Sequence, residues 1–174
     1  MCIILAVTAA YFLTLQKHTD AAPKAVEKTG AAVPSEFKTK GVDGWWQGAT
    51  NKTSMVLFQN SHDCFVSAQH DAGSVDIPIQ LEKQRKLMTD AGYTFTELPT
   101  IPMTIQTSSG QLAYDLYQFA ADAPANADPI MKGQAYGYIP LTNGYIKVFT
   151  DCNTPEQLPS TITAFQSLLF NGTR

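Results

Sequence analysis

Apolar and polar residues alternate with a period of two along several short stretches of this chain. Along two others they recur at close to 3.6 residues. Met55-Val56-Leu57-Phe58 is a short apolar run, followed by the turn formers Asn60-Ser61-His62-Asp63. A second run, Cys64 to Gln69, reads as the strand returning beside it. Trp45-Trp46 ahead of this pair suggests an additional edge strand, broken by Gly44 and Gly48. Farther on, Met103, Ile105 and Thr107 alternate with Thr104 and Gln106, Ser108-Ser109-Gly110 turns the chain, and Leu112, Tyr114 and Leu116 open a strand reaching about Ala120. Pro99 and Pro102 mark where the first of these two strands begins, because proline cannot donate to a sheet ladder. The clearest hairpin joins Gln134–Leu141 to Tyr145–Thr150 at Asn143-Gly144, a pair suited to a type I′ turn.

The helical period appears twice. Ile77, Leu81, Met88 and Ala91 fall on one face, with Asp76 or Ile77 as N-cap, Pro78 in the first turn and Gly92 as the stop. Lys83, Arg85 and Lys86 fall on the other side, as a solvated face requires. Near the end, Thr154-Pro155-Glu156-Gln157 fits a capping box, and Leu158, Ile162, Phe165 and Leu169 keep the spacing of a buried stripe. Pro159 conflicts with a helix already under way, so the regular part is expected from there. Helices separated by antiparallel hairpins predict an α+β fold: an antiparallel sheet of about six strands with two amphipathic helices packed on it. Periodicity does not say whether the helices share a face. Residues 121–133 form a long connection without a pattern, of the kind that often carries contacts.

The front of the chain has a different character. Residues 2–15 carry no charge, and as a helix they rise about 21 Å, short of a hydrocarbon layer of about 30 Å. The run reads as a short signal-anchor, with a signal-peptide core or an apolar first element of the fold as alternatives. Residues 16–40, rich in Ala, Lys, Thr and Pro, read as an exposed spacer, and 41–174 as the globular domain. Five lysines against Asp20, Glu27 and Glu36 make the spacer basic, whereas the domain is acidic. An apolar plug, a tether and a domain is the layout of a single-pass membrane protein. The lysines after the run argue for a cytoplasmic flank, and the position of the domain behind a signal-type segment argues for export. The expectation is a membrane-anchored, extracytoplasmic domain.

Composition narrows the chemistry. The net charge is −3, with no dense basic run, which gives phosphate-backbone binding no electrostatic footprint and excludes nucleic acid as the expected partner. Three cysteines do not make a zinc framework. No phosphate-binding glycine loop and no Gly-x-Ser-x-Gly elbow is present, so no cofactor is expected. The densest reactive cluster is His62-Asp63-Cys64 with His70-Asp71. His62 and His70 lie about 26 Å apart on a straight strand, too far to share a metal ion. Cys64 with His62 or His70 leaves a thiol- or His-dependent hydrolase as an alternative function. Cys64 opens one strand and Cys152 closes another, so a disulfide joins them if the strands are antiparallel neighbours. The aromatics offer a third reading, a ligand-binding or partner surface built from Trp45, Trp46, Tyr136, Tyr138 and Tyr145, with Ile130 and Met131 from the long connection. Tyr136 and Tyr138 share a strand face opposite Ile139 and Leu141, so they lie outside the core unless a helix covers them.

Over about 45–170 the order of elements, and the closing segment Ile162-Thr-Ala-Phe165-Gln-Ser-Leu168-Leu169-Phe170, resemble the Mog1/PsbP-like fold, which includes exported bacterial domains similar to the DcrB and LpqN lipoproteins. The chain departs from those lipoproteins in having no lipobox cysteine, and it presents no family ligand residues. The resemblance implies an accessory or scaffolding role more readily than catalysis. The expected function is therefore a non-catalytic, membrane-tethered component of an envelope protein assembly.

Overall fold

Among the residues described by the computed structural model, 35–122 and 132–172, the chain forms nine strands and two α-helices. The order is β1 (Phe37–Thr39), β2 (Trp45–Thr50), β3 (Ser54–Gln59), β4 (Cys64–Asp71), α1 (Ile77–Asp90), β5 (Thr94–Thr107), β6 (Gly110–Asp122), β7 (Gly133–Leu141) and β8 (Gly144–Cys152). A 3₁₀ turn at Pro155–Gln157, α2 (Leu158–Ser167) and β9 (Leu168–Phe170) complete it. All strands belong to one sheet in the order β1-β9-β5-β6-β7-β8-β4-β3-β2. The pairs are antiparallel except β5 with β9, where Gln106 faces Leu169 and Thr107 faces Phe170 in parallel.

The expected six-stranded antiparallel α+β fold is thereby corrected to a mixed, strongly curled half-barrel of nine strands. The difference lies in segments without a local strand signal. Three residues of the expected spacer, Phe37–Thr39, form β1, and the end of the expected last helix, Leu168–Phe170, forms β9. A three-residue strand shows almost no period-2 pattern, and its pairing comes from elsewhere in the chain. β5 runs unbroken through Pro99 and Pro102: a register shift between Leu98 and Ile101 takes in Pro99, and Pro102, opposite Asp115, lies short of the β9 pairing at Gln106 and Thr107.

Both helices begin as their sequences require. The Asp76 carboxylate accepts the Ile79 N–H at 3.1 Å, and Pro78 occupies the first turn. Gly92, at φ 85°, stops α1 while its N–H donates to the Thr89 carbonyl. Ahead of α2, the Thr154 N–H donates to Gln157 Oε1 at 2.9 Å, the return arm of the capping box.

The helices flank opposite faces of the sheet. α2 packs Leu158, Ala164 and Phe165 into the main core with Met55, Val66, Ile105, Leu116, Ile139, Ile146 and Val148. α1 lays Leu81 on Phe119, Tyr136 and Tyr138 on the other face. The curl brings the β1 edge to the far side of the sheet. There the Glu36 N–H donates to the Lys52 carbonyl in the β2–β3 turn, and His70 Nδ1–H on β4 donates to Glu36 Oε2 at 2.7 Å. Phe37 is buried beneath this seam against Phe170. Among the described residues no helix is long and apolar enough to cross a membrane, and the apolar run 2–15 lies outside them.

Candidate functional site

The expected cysteine pair is joined. β4 and β8 are antiparallel neighbours in full register from Cys64↔Cys152 to Asp71↔Tyr145. The Asn153 N–H donates to the Asp63 carbonyl one step outward. Cys64 and Cys152 therefore occupy the next, non-hydrogen-bonded position, where facing side chains approach most closely. Their Cα atoms are 4.2 Å apart, and the disulfide is buried.

The same bond engages the sulfur that a thiol hydrolase needs as nucleophile. The two histidines are not assembled around it. His62 is exposed in the β3–β4 turn at φ 61°, and His70, six strand positions beyond Cys64 near the opposite end of β4, is engaged by Glu36. No group of acidic, His or Cys side chains among the described residues has the arrangement of a metal site. A shallow depression among Leu112, Pro140, Leu141 and Thr142 carries no titratable side chain.

The aromatic candidates separate. Trp45 points to the main core, whereas Trp46 is 44% exposed on the α1 side of the sheet. Tyr136 and Tyr138 are on the face opposite Ile139, as their strand alternation requires, but α1 covers them and they are 2% and 3% exposed. Tyr145 lies at the margin of that cluster, and Ile130 and Met131 lie outside the described residues.

What the register assembles instead is a ladder of rings, one from each of seven adjacent strands. Trp46 stacks on Phe58 at 4.8 Å, Phe58 meets Phe65 at 6.1 Å, and Phe65 meets Phe149 edge-on at 5.3 Å. Phe149 stacks on Tyr136 at 5.1 Å, and Tyr136, Phe119 and Phe95 continue at 6.1 and 5.8 Å. Each contact is a directly opposed or diagonal cross-strand pair, the spacing at which rings on neighbouring strands reach each other. Gly48 takes part by absence, since a side chain there would occupy the space of the Phe58 ring. α1 covers the Tyr136–Phe119 end. Trp46, Phe58 and Phe65 extend beyond it, with half-buried Val56 and Ser67 alongside.

Charged groups are set into this ladder. Asp151 lies directly between Phe65 on β4 and Gln134 on β7, and it is 7% exposed. Burial pushes its carboxyl up to about 8, against the opposing pull of a Gln134 hydrogen bond and the Lys147 charge. Its Oδ1 has no hydrogen-bond partner among the described residues. Lys147 holds its ammonium 5.6 Å from the Tyr136 ring centre and 5.8 Å from that of Phe149. Burial lowers its pKa, while Asp71 and Asp151 oppose the shift. The Tyr136 hydroxyl donates to Gln134 Oε1 at 2.9 Å, and burial holds that phenol well above its ordinary range.

No family model matches the chain, and no curated protein is similar to it.

Sequence reasoning missed Phe58, Phe65, Phe149, Lys147 and Asp151 as site residues. The strand parity of all but Asp151, which lies past the expected end of its strand, was readable. The adjacency of β4 to β8, separated by α1 and three intervening strands, was open.

Proposed function

We propose that this chain is a membrane-tethered, extracytoplasmic domain without catalytic activity, an accessory component of an envelope assembly that docks a protein partner on Trp46, Phe58 and Phe65. The observation that carries the reading is the continuation of the aromatic ladder beyond the helix that covers its other half. Its last ring, Trp46, is 44% exposed. Large rings held rigid by stacking are the usual anchors of protein interfaces. The buried Cys64–Cys152 disulfide supports the location, because such bonds persist in oxidising compartments. The uncharged run 2–15 and the Lys/Pro-bearing spacer support the tether, and the Mog1/PsbP-like resemblance supports an accessory role.

The test places a photoreactive phenylalanine analogue at Trp46 of the full chain in its native membranes, with the exposed α1 position Lys83 as control. The expected result is a cross-link to one protein from position 46 and none from 83. That protein, purified, then binds Trp46→Ala at least tenfold more weakly than the parent. Identical adducts at both positions, or unchanged affinity of the alanine variant, overturn the reading.

A further inference from the structure

The open aromatic row does not end on another ring. In direct register, Trp46 faces Phe58, Phe58 faces Phe65, and Phe65 faces Asp151. Three partly open rings thus lead to a carboxylate that is nine-tenths buried and whose Oδ1 has no hydrogen-bond partner among the described residues. Buried acceptors are rarely left in that state, and an unpaired one marks a place for a donor. The cation on the same strand, Lys147, rests over the Tyr136 and Phe149 rings rather than on Oδ1.

We infer that Asp151 is a cation-accepting subsite at the inner end of the row, so that the partner's anchor is an arginine or lysine side chain lying along Trp46, Phe58 and Phe65. The inference rests on the row being the docking surface. The long stem of either residue is apolar, and it lies on rings while its head keeps a polar contact. A guanidinium also stacks flat on an aromatic face and presents a fork of N–H groups to a carboxylate, which favours arginine. The titratable groups acting on Asp151 are Lys147 of β8, Tyr136 of β7 and Tyr93 beyond α1, while β4 presents Phe65. Because burial keeps the carboxyl protonated near neutrality, seating a cation on it expels that proton to the buffer.

The probes are N-acetyl-arginine amide and its neutral near-isostere N-acetyl-citrulline amide, titrated into the full chain in mild detergent while the Trp46 indole N–H resonance is followed. The expected result is saturable binding of the arginine compound at least tenfold tighter than the citrulline compound. Calorimetry at pH 7 in two buffers of different ionisation enthalpy then shows proton release. Asp151→Asn brings arginine down to the citrulline level and abolishes the release, and its thermal melt reports whether the fold is kept. Equal binding of the two compounds by the parent chain overturns the inference without reference to any variant. If a partner still cross-links at Trp46 under that outcome, the docking surface stands and the cation subsite falls. If the Trp46 resonance responds to neither compound and position 46 yields no specific adduct, both fall.

Discussion

Replacing Asp151 by Asn removes a titration from the interior while keeping the shape, so its effect on stability has a definite sign at each pH. The folded carboxyl titrates near 8, and an unfolded aspartate at about its ordinary 3.8. Between those values the folded chain holds a proton that the unfolded chain has lost, so stability falls as pH rises across the window and levels off above it. Four units at about 1.4 kcal/mol each set a ceiling on the order of 5 kcal/mol. Relaxation around the ionised group brings the expected loss to roughly 2–4 kcal/mol. Lys147, shifted downward, contributes with the opposite sign, a stability that rises with pH toward its ordinary value. The assay is urea unfolding of residues 33–174 and of the Asn variant at half-unit steps from pH 4.5 to 9. The parent is expected to lose stability steadily toward pH 8 while the variant stays nearly flat, the gap growing from near zero. With about 3 °C per kcal/mol for a domain of this size, thermal melts show a gap of roughly 6–12 °C at pH 8. Parallel profiles, or a parent that gains stability between pH 5 and 8, refute the assignment of a neutral buried carboxyl.

Cys64→Ser with Cys152→Ser opens a loop of sequence separation 88, and the chain-entropy model assigns that loss roughly 4–5 kcal/mol, read as a lower urea midpoint with a steeper slope, because the denatured chain is released to expand. Free-thiol counting on denatured, non-reduced full chain is expected to find one thiol, Cys2; three would contradict the bond. Starting the chain at Val42 instead of Val33 deletes Phe37, which is 1% exposed, and the Glu36–His70 contact, so a loss of about 3–5 kcal/mol is expected by thermal melting. Gly48→Ala drives a methyl group into the space of the Phe58 ring, which is stacked on Trp46. A loss of about 1–3 kcal/mol is expected, while Trp46 fluorescence shifts and affinity for the cross-linked partner drops.

Local chemistry made much of this molecule legible. Asp76, Pro78 and Gly92 bracket α1 because each satisfies or removes a specific backbone group, and those groups belong to the segment itself. The Cys64–Cys152 bond was readable as a condition, since both residues sit at strand ends that meet once β4 and β8 are antiparallel neighbours, and the neighbouring itself came from the fold. β1 and β9 were hidden because a three-residue strand takes its identity from its partner, here at the other end of the chain. The site was legible by halves. Trp46 and the shared face of Tyr136 and Tyr138 follow from strand alternation, whereas their different exposure depends on where α1 comes to rest. Asp151 gave no signal at all, since an acidic residue beside a strand end reads as part of a turn.

The pairing of β1 with β9 also governs when this molecule becomes whole. Phe37 is among the first of the described residues to be synthesised, and its partner Phe170 among the last. Contacts between such distant points are the slowest to form. An emerging chain therefore cannot seat β1 until Leu168–Phe170 are free. Cys64 likewise waits for Cys152. The domain therefore closes as a unit, only once β9 has followed β1 out of the ribosome.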